Sequence, residues 1–302
     1  MLRALNVKRT RKKSVLSKSI FMIIGFVLLM IQAVSFLTPL FWSILTSLKS
    51  NVDFATNLFG LPKRWILANY KNVFEILTVS VHTPQGSIKY FLTALFLNSL
   101  VYSAGCAILH TMVPCICAYV VAKYKYKFSK FVYGIVIVTM LLPTVGNLPS
   151  QITVVKMLGL FDNLVGIFIM RASFLGINFL IFYGAFNSIS WEYAEAGFID
   201  GASHFSIMLK VMLPLVRPTI NAILLLSFIQ YWNEYYVPMI FLPSMPTVAL
   251  GVYKFAHSTE NLASSIPLKM TGCILVALPI LVLFVIFRNK LVGNVAVGGI
   301  KG

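Results

Sequence analysis

The sequence predicts an all-α polytopic membrane protein with six transmembrane helices and with both termini in the cytoplasm. Of its 302 residues, 59% are hydrophobic and only 11% are charged, whereas soluble globular domains carry about 25% charged residues. The apolar residues fall into long runs, and most Lys and Arg residues lie at the ends of those runs. Because so few polar side chains cannot cover a folded surface, the apolar residues must face lipid. This balance excludes a soluble enzyme, a disordered tail and a nucleic-acid-binding module.

Six stretches have the roughly 20 apolar residues that a transmembrane helix needs. They are Ile20–Leu45, Phe91–Ala122, Phe131–Leu148, Leu164–Phe186, Thr219–Leu242 and Ile266–Phe287. Basic residues precede the first stretch, but its apolar run is longer than a signal-peptide core of about 7–15 residues, so we expect a retained helix. The second stretch is interrupted by Pro114, and the third contains Pro143 and Gly146 near its end.

The positions of Lys and Arg predict the orientation of these helices. With the N-terminus inside, the inner segments carry sixteen basic residues and the outer segments carry eight, which is the asymmetry that membrane insertion favours. The predicted organisation is a basic cytoplasmic tail (1–19), a transmembrane domain (20–287) and a second cytoplasmic tail (288–302). Within the transmembrane domain, 49–89 forms an extracytoplasmic loop and 188–218 forms a cytoplasmic loop.

The net charge of +17 therefore reflects topology rather than a nucleic-acid interface. No basic face with interleaved aromatic residues lies outside the apolar runs, although some basic residues are placed to contact anionic membrane lipid. All four cysteines lie inside apolar stretches, and no histidine lies at zinc-ligand spacing from them. We expect no metal site, no cofactor and no catalytic residues, because paired carboxylates, a Ser/His pair and an H-E-x-x-H helix are all missing from the sequence.

The segment 188–218 has the pattern of two short helices joined by a tight turn. Ser190 is a suitable N-cap, and Glu192 lies in the first turn, where the helix dipole favours a negative charge. The first helix is expected to end at Asp200–Gly201, because glycine tolerates the left-handed conformation that closes a helix. A second, amphipathic segment begins at Ala202 and is expected to end at Pro214, which cannot continue a helix.

The first of these two helices carries a stripe of small and polar residues. Tyr193, Ala196, Gly197 and Asp200 recur at the spacing of one helical face. Small residues let another surface approach closely, and Gly197 costs the helix about 1 kcal/mol relative to alanine. The pattern by itself fits both a docking surface for another protein and an amphipathic helix lying on lipid headgroups.

The order of residues in this segment resembles the EAA signature of ABC-importer permeases. That signature is E-A-A, three residues, G, nine residues and I-x-L-P. The present sequence has Glu195–Gly197, Gly201 and Val211–Pro214 at the same spacing. Gly197 replaces the second alanine of the signature, and Val211 replaces its isoleucine. The segment 188–218 is called the EAA-like loop below.

Other stretches resemble the carbohydrate-importing branch of that family, so the resemblance covers nearly the whole chain. Ile199–Ala202 is similar to the IDGA sequence common in that branch. The remaining matches are Trp232–Tyr235 to its WNE-aromatic stretch, Leu61-Pro62 with Asn69-Tyr70 and Phe74 to its LP, NY and F pattern, and Gly299–Gly302 to its KG ending.

The resemblance implies a type I ABC-importer permease fold in a bacterial cell membrane. In such an importer, this multi-pass chain pairs with a second permease subunit, two cytoplasmic ATPase subunits and an extracytoplasmic solute-binding protein, and it translocates a sugar. The loop 49–89 would dock the binding protein. The EAA-like loop would couple to the ATPase, with Glu195 supplying a charge, Ala196 and Gly197 the close approach, and Gly201 the turn. The full set of expected ATPase-coupling residues is Glu195, Ala196, Gly197, Asp200, Gly201, Ala202, Leu213 and Pro214.

Two charged residues lie at membrane depth, where such residues usually mark functional sites. Arg171 and Glu234 lie roughly 10 and 12 Å below the outer ends of the fourth and fifth predicted helices, at about 1.5 Å per residue. We expect them to form an ion pair beside Asn233. A purely structural pair and a pair that lines the substrate cavity or its gate both fit the sequence. The candidate residues of the substrate pathway or gate are Arg171, Asn178, Trp232, Asn233, Glu234 and Tyr235.

Other classes of transporter fit the same composition. An ATPase-independent channel or secondary transporter is one, and an ABC importer for a non-sugar solute is another. The chain has no Gly-Lys-Ser/Thr phosphate loop, so ATP hydrolysis is expected in separate subunits rather than in this chain.

Overall fold

The computed structural model describes residues 2–83, 86–124, 126–142, 146–258 and 265–295. Within these ranges the chain is mostly helical, with one antiparallel hairpin. The elements are α1 (Leu2–Ser47), α2 (Asn51–Thr56), α3 (Ala68–Ile76), β1 (Thr78–Thr83), β2 (Gly86–Phe91), α4 (Leu92–Lys123), α5 (Lys127–Leu141), α6 (Leu148–Met157), α7 (Leu164–Arg171), α8 (Ile177–Asn187), α9 (Glu192–Ile199), α10 (His204–Ile207), α11 (Leu213–Leu215), α12 (Arg217–Trp232), α13 (Tyr236–Phe241), α14 (Val248–His257) and α15 (Ile266–Val295). A π-helical turn, Met208–Met212, connects α10 to α11.

The first of two compact units contains Met1–Val73 and Ser265–Ile274. The apolar part of α1, Phe21–Ser47, buries none of its most apolar window inside the chain. Its large side chains are exposed along the whole segment, as Phe21 and Phe36 illustrate with exposures of 78% and 72%. A helix of this kind is stable only when lipid or another subunit covers it.

Polar contacts hold the end of α1 in the same unit. The Asn69 side-chain amide donates to the carbonyls of Ser47 at 2.7 Å and of Lys49 at 2.9 Å. The buried Lys49 ammonium donates to the carbonyl of Asn57 at 2.6 Å. Because the buried polar groups of Asn69 and Lys49 are satisfied in this way, the first part of the predicted outer loop is folded against the end of the helix.

The second unit, Phe74–Ser264 with Leu275–Gly302, is built around α4. Helices α8 and α12 pack along α4. Gly105 on α4 allows α7 to come close, because a Cβ atom there would lie 2.2 Å from Cζ of Phe168. Many of the described buried side chains belong to two clusters, one around Phe182 on α8 and one around Tyr231 on α12.

Three predicted spans correspond to helices that are long and apolar enough to cross a membrane. These helices are Phe21–Ser47, Leu92–Lys123 and Ile266–Ile286, and they match the first, second and sixth predicted spans. The third predicted span corresponds to α5, which has 15 residues. Pro143, in its last part, lies outside the described residues.

The prediction of unbroken fourth and fifth helices is wrong. The fourth consists of α7 and α8, which are separated by a non-helical segment that ends at Gly176. Gly176 has φ 122° and ψ −170°, a conformation that essentially only glycine adopts. The fifth is interrupted between Trp232 and Tyr236. A hydropathy average over about 20 residues does not detect these breaks, because both are short and apolar residues flank them.

Candidate functional site

The first helix of the EAA-like loop, α9, ends at the residues that the sequence predicts. Gly201 has φ 77°. The Gly201 N–H donates to the carbonyl of Phe198 at 3.0 Å, and the Ala202 N–H donates to the carbonyl of Gly197 at 2.9 Å. These two hydrogen bonds form a Schellman motif, in which the left-handed residue is usually glycine. The prediction that Gly201 forms the turn is confirmed.

The start of α9 differs by one residue from the prediction. Trp191 occupies the N-cap position, and its side chain makes no capping hydrogen bond. Ser190 instead accepts a hydrogen bond from the Glu192 N–H at 3.3 Å. Glu192 and Glu195 lie in the first turn, where the helix dipole stabilises a negative charge by about 0.3–1 kcal/mol. The acidic residues therefore suit the helix end that carries them.

The second half of the loop extends further than predicted. The Ser203 hydroxyl caps α10 by accepting from the Ser206 N–H at 3.3 Å. Pro214 lies in α11, which directly continues the π-helical turn Met208–Met212. The segment ends at Leu215, one residue after the predicted end at Pro214. The chain turns just beyond it, with a bend of 75° between His204–Leu215 and Arg217–Trp232.

Gly197 packs against the second helix of its own loop. A Cβ atom at Gly197 would lie 3.1 Å from Cγ1 of Ile207, and the Ile207 side chain is fully buried. Its small size therefore lets α9 and α10 touch, together with the buried Ala194. Gly197 itself is half-buried, and close access of another protein at this residue stays a prediction.

The other face of α9 is exposed and is both acidic and apolar. Of the expected coupling residues, five are exposed, namely Glu195, Ala196, Asp200, Gly201 and Pro214. The other three, Gly197, Ala202 and Leu213, are half-buried. Next to them, Ile199 is 87% exposed, Phe205 66% and Tyr193 55%. Exposed apolar side chains bordered by charged residues mark a surface that binds another molecule.

A hydrogen bond and aromatic contacts attach the EAA-like loop to the end of α4. The Tyr124 ring lies edge-on to Trp191 with centroids 5.7 Å apart. The Tyr124 hydroxyl is hydrogen-bonded to Nδ1 of His204 at 2.8 Å. Beside it, the Lys123 ammonium donates to the carbonyl of Ile189 at 2.5 Å. These contacts join the EAA-like loop directly to the end of α4.

Sequence reasoning missed this attachment. Tyr124 and His204 are 80 residues apart, so no local pattern relates them. The available signal was the aromatic character of the two predicted inner segments, which contain Tyr124 in one and Trp191 and Phe198 in the other. Phe198 joins the same cluster, with its ring 4.6 Å from that of His204.

Arg171 and Glu234 form the predicted ion pair. Arg171 Nη2 lies 2.6 Å from Oε1 and 2.8 Å from Oε2 of Glu234. The Tyr102 hydroxyl on α4 donates to Oε2 of the same carboxylate at 2.5 Å. Arg171 is the last residue of α7 and Glu234 lies just beyond α12. The pair thus connects the two points at which the predicted fourth and fifth helices are interrupted.

Aromatic rings surround the ion pair, and some of its polar atoms have no partner. Arg171 Cζ lies 5.0 Å from the centroid of the Tyr231 ring, and the His110 ring is edge-on to Tyr231 at 5.6 Å. Arg171 Nε and the Tyr231 hydroxyl are buried without a hydrogen-bond partner among the described residues. The side chains of Arg171 and Glu234 are 24% and 20% exposed, so the cluster is accessible from one side.

The other expected pathway residues have different surroundings. The Trp232 side chain is buried, and its indole N–H donates to the carbonyl of Val276 at 3.1 Å, so it packs inside the chain. Asn233 is exposed and donates to the carbonyl of Ile229 rather than to the ion pair. Tyr235 is exposed and stacks on Tyr253. The Asn178 amide donates to the carbonyl of His110 at 3.4 Å, which places it near the ring that borders Tyr231.

Comparisons with known proteins identify several relatives of the whole chain. The chain is similar to the diacetylchitobiose uptake system permease protein NgcG of Streptomyces coelicolor, with 23% identity over 92% of this chain and 88% of that protein. It is also similar to a probable starch degradation products transport system permease protein, AmyC, of Thermoanaerobacterium thermosulfurigenes, with 27% identity over 88% and 92% of the two chains. An arabinooligosaccharides transport system permease protein, AraQ, of Bacillus subtilis is 25% identical over 90% and 93%.

A solved structure has the same fold. It is a chain of a bacterial ABC transporter involved in the import of the acidic polysaccharide alginate, with a TM-score of 0.74 and 25% identity over 90% of this chain and 97% of that chain. The model of the family described as "binding-protein-dependent transport system inner membrane component" matches residues 110–296. That match includes the EAA-like loop, Arg171 and Glu234. The chain therefore belongs to the inner membrane components of binding-protein-dependent transport systems.

Proposed function

We infer that this chain is a permease subunit of an ATP-driven, binding-protein-dependent importer of oligosaccharides. The observation that carries this inference is the family match over residues 110–296, which contains an EAA-like loop folded as a helix, a Schellman turn and a second helix. The relatives reported above are named for uptake of diacetylchitobiose, starch degradation products and arabinooligosaccharides. A permease of this family is a transport component rather than an enzyme.

The EAA-like loop is the element we propose to couple with the ATPase. Its exposed face offers the acidic Glu195 and Asp200 beside the apolar Ile199 and Phe205, which is the combination needed to seat a short helix in a cleft of another protein. Gly197 supports this role indirectly, by holding α9 against Ile207. The contact of Tyr124 with His204 then carries the movement of the loop into α4.

The ion pair of Arg171 with Glu234 is proposed to border the substrate pathway. Non-helical backbone at membrane depth is tolerated only where protein buries it or where it lines a water-filled cavity. The partly exposed pair lies between two such breaks, and Arg171 Nε and the Tyr231 hydroxyl lack partners there. Asn178, Asn233 and Tyr235 belong to the same proposed lining, whereas Trp232, whose indole is occupied by Val276, is left out.

The rest of the proposed assembly follows from the family. A second permease subunit would cover surfaces such as the exposed side of α1, two ATPase subunits would lie against the EAA-like loops, and a solute-binding protein would dock on the outer loop 49–89. The importer would lie in a bacterial plasma membrane, with six passes in this chain and both termini in the cytoplasm. In another solved structure, a bacterial alginate ABC transporter is bound to a periplasmic protein that holds an alginate pentasaccharide, and one of its chains shares the fold of this chain with a TM-score of 0.54 and 15% identity over 89% of this chain and 95% of that chain.

Uptake into proteoliposomes tests the function. The chain is reconstituted with its second permease subunit and ATPases, the binding protein is added outside, and entry of radiolabelled oligosaccharides is measured with internal ATP or a non-hydrolysable analogue. We expect uptake only with ATP. Uptake without hydrolysis would show a channel or a secondary transporter instead. ATP-dependent uptake of amino acids, polyamines or ions in place of sugars would contradict the substrate class.

A bulky side chain at Ala196 tests the docking surface. Ala196 is exposed on α9, so Ala196→Trp leaves the fold of this chain intact but obstructs a closely fitting partner. We expect loss of ATPase co-purification and of uptake, with normal amounts of the chain in the membrane. Ala55→Trp is the matched control for ATPase co-purification alone, because Ala55 is exposed on α2 of the outer loop, where the solute-binding protein rather than the ATPase is proposed to dock. Normal ATPase association of the Ala196→Trp variant would contradict the proposed coupling surface.

A further inference from the structure

A cleft of about 760 Å³ lies where the end of α4, the start of α5 and α8 meet. Its volume is within the range of about 300–1,000 Å³ that is typical of small-ligand sites. The polar and aromatic side chains that line it are Tyr126, Lys127, Ser129, Lys130, Tyr133 and Tyr183. The transport function proposed above uses none of these residues.

The lining of the cleft is positively charged. Lys127 and Lys130 both line it, and they are one helical turn apart at the start of α5. The chain contains eight acidic residues, but among the residues that the structure describes none of them lines the cleft. Neither lysine forms an ion pair within the part of the chain that the structure describes. The cleft therefore favours an anionic ligand.

The aromatic side chains around the cleft indicate its level in the membrane. Phe128 and Phe131, on the same first turns of α5, are 60% and 61% exposed. Lysines and aromatic rings at the end of an apolar helix are characteristic of the lipid headgroup region. A site for a soluble anion would gain nothing from these exposed phenylalanines, whereas lipid acyl chains would cover them.

Tyrosines provide one wall of the cleft. The rings of Tyr133 and Tyr183 lie 4.8 Å apart, and Tyr183 is stacked on Phe179 at 6.1 Å. Tyrosine has an apolar ring and a polar hydroxyl, so it suits a ligand that is polar at one end and apolar at the other. The Ser129 hydroxyl donates to the carbonyl of Tyr124 at 2.6 Å, so it helps to shape the cleft.

We propose that this cleft binds the phosphate-bearing headgroup of an anionic phospholipid. Lys127 and Lys130 pair with the phosphate, and Tyr133 and Tyr183 border the headgroup and glycerol. The acyl chains continue along the exposed side of α5, where Phe128 and Phe131 lie.

Photolabelling of the assembled transporter in nanodiscs tests this site. Photoactivatable phosphatidylglycerol and phosphatidylcholine probes with identical acyl chains are compared, and labelled peptides are identified by mass spectrometry. We expect the phosphatidylglycerol probe to label the peptides that contain 126–133 and Tyr183 in preference to the phosphatidylcholine probe. In the variant K127Q/K130Q this labelling should fall about tenfold or more, since each lysine near an anionic surface contributes roughly a fivefold preference.

Controls separate the site from general charge and from misfolding. The variant K156Q/K254Q removes the same charge from lysines that do not line the cleft and should keep full labelling, as should K127R/K130R, which preserves the positive charge. Thermal unfolding in phosphatidylcholine nanodiscs checks that K127Q/K130Q is folded. If this variant is not folded, the proposal is tested by the labelling of the unsubstituted protein with the two probes. Equal labelling by both probes, or unchanged labelling of a folded K127Q/K130Q, would overturn the proposal. Displacement of the lipid probe by millimolar inorganic phosphate would overturn the lipid assignment in favour of a soluble phosphate.

Discussion

At Gly201 the backbone has φ 77°, and this single residue closes α9 and sets the direction of α10. An alanine there costs about 1–2 kcal/mol because the left-handed conformation brings its Cβ close to the carbonyl oxygen, although nothing else lies within 4 Å of that Cβ position. The strain therefore acts on the shape of the loop and leaves its packing unchanged.

Substitutions at Gly201 are expected to reduce ATP-driven uptake without preventing membrane insertion. Gly201→Ala should lower uptake, and Gly201→Val should lower it further because a β-branched residue tolerates this conformation poorly. Gly184→Ala is the matched control, because Gly184 lies in α8 with open space at its Cβ position and no positive φ. Uptake per amount of reconstituted protein is the measurement. Full uptake by Gly201→Val would show that the turn is not needed for coupling.

The ion pair of Arg171 with Glu234 is expected to behave as an interacting pair in a double-mutant cycle. Breaking a buried pair costs about 3–5 kcal/mol. A smaller cost of about 1–3 kcal/mol is expected here, because the two side chains keep 24% and 20% exposure. Arg171→Ala and Glu234→Ala should each lower the thermal unfolding temperature, and the double variant should lower it by less than the sum. A charge swap, R171E/E234R, should recover part of the loss.

The cycle also separates packing from transport. If the double variant is stable and still takes up substrate, the pair is structural and does not border the pathway. Strictly additive losses would contradict a direct interaction, since independent sites add within about 0.5 kcal/mol.

Among the elements, α4 connects the EAA-like loop at one end with the ion pair further along its length. Tyr124 follows the C-terminus of α4 and contacts His204, whereas Tyr102 on α4 donates to Glu234. A packed helix transmits displacement because protein interiors are dense and have few voids. We therefore expect α4 to transmit a movement of the EAA-like loop to the ion pair of Arg171 with Glu234 at the helix breaks.

Removing the ring of Tyr124 is expected to uncouple hydrolysis from transport. Tyr124→Ala deletes the contacts with Trp191 and His204 but leaves the exposed face of α9 unchanged, so ATPase association should persist while uptake per ATP hydrolysed falls several-fold. Tyr124→Phe keeps the ring and loses only the hydrogen bond, and it should be much milder. The measurement is the ratio of uptake to ATP hydrolysis in proteoliposomes. An unchanged ratio in Tyr124→Ala would contradict transmission through this contact.

The fourth and fifth helices show the limit of prediction at the level of elements. The apolar lengths of 164–186 and 219–242 were evident, but the breaks at Gly176 and at 233–235 were not. Hydropathy measures the preference of a segment for lipid, and it does not predict where a carboxylate and a guanidinium form an ion pair. In the sequence, the expected pairing of Arg171 with Glu234 indicated that these two segments differ from ordinary apolar helices. The structure confirms that pairing.

For the whole molecule, the orientation in the membrane is expected to follow the basic residues. Single cysteines are introduced at the exposed Val52 and Lys210 after the native cysteines, Cys106, Cys115, Cys117 and Cys273, are replaced by alanine. A membrane-impermeant maleimide should label Val52→Cys on intact cells and label Lys210→Cys only after permeabilisation, because basic loops remain in the cytoplasm. The reverse pattern would place the EAA-like loop outside and contradict its coupling to an ATPase.

The chain by itself leaves large apolar surfaces uncovered. The apolar window of Phe21–Ser47 is not buried within the chain, and Tyr193, Ile199 and Phe205 of the EAA-like loop are exposed. The first surface suits lipid or a second permease subunit, and the second suits a partner in water. These two surfaces are consistent with the proposed assembly, in which the chain is one subunit.

Composition and spacing determined the class of this protein. Long apolar runs require lipid. The capping residues and apolar spacing of 188–218 predicted two helices with a turn at Gly201, because a left-handed backbone position strongly favours glycine. These are local properties, which depend on residues close together in the chain. Tertiary structure alone decided that Gly197 packs on Ile207, that Tyr124 supports His204, that Trp232 is buried and that two helices break beside an ion pair. Each of these features depends on contacts that the fold makes between side chains, and the periodicity of the sequence does not predict such contacts.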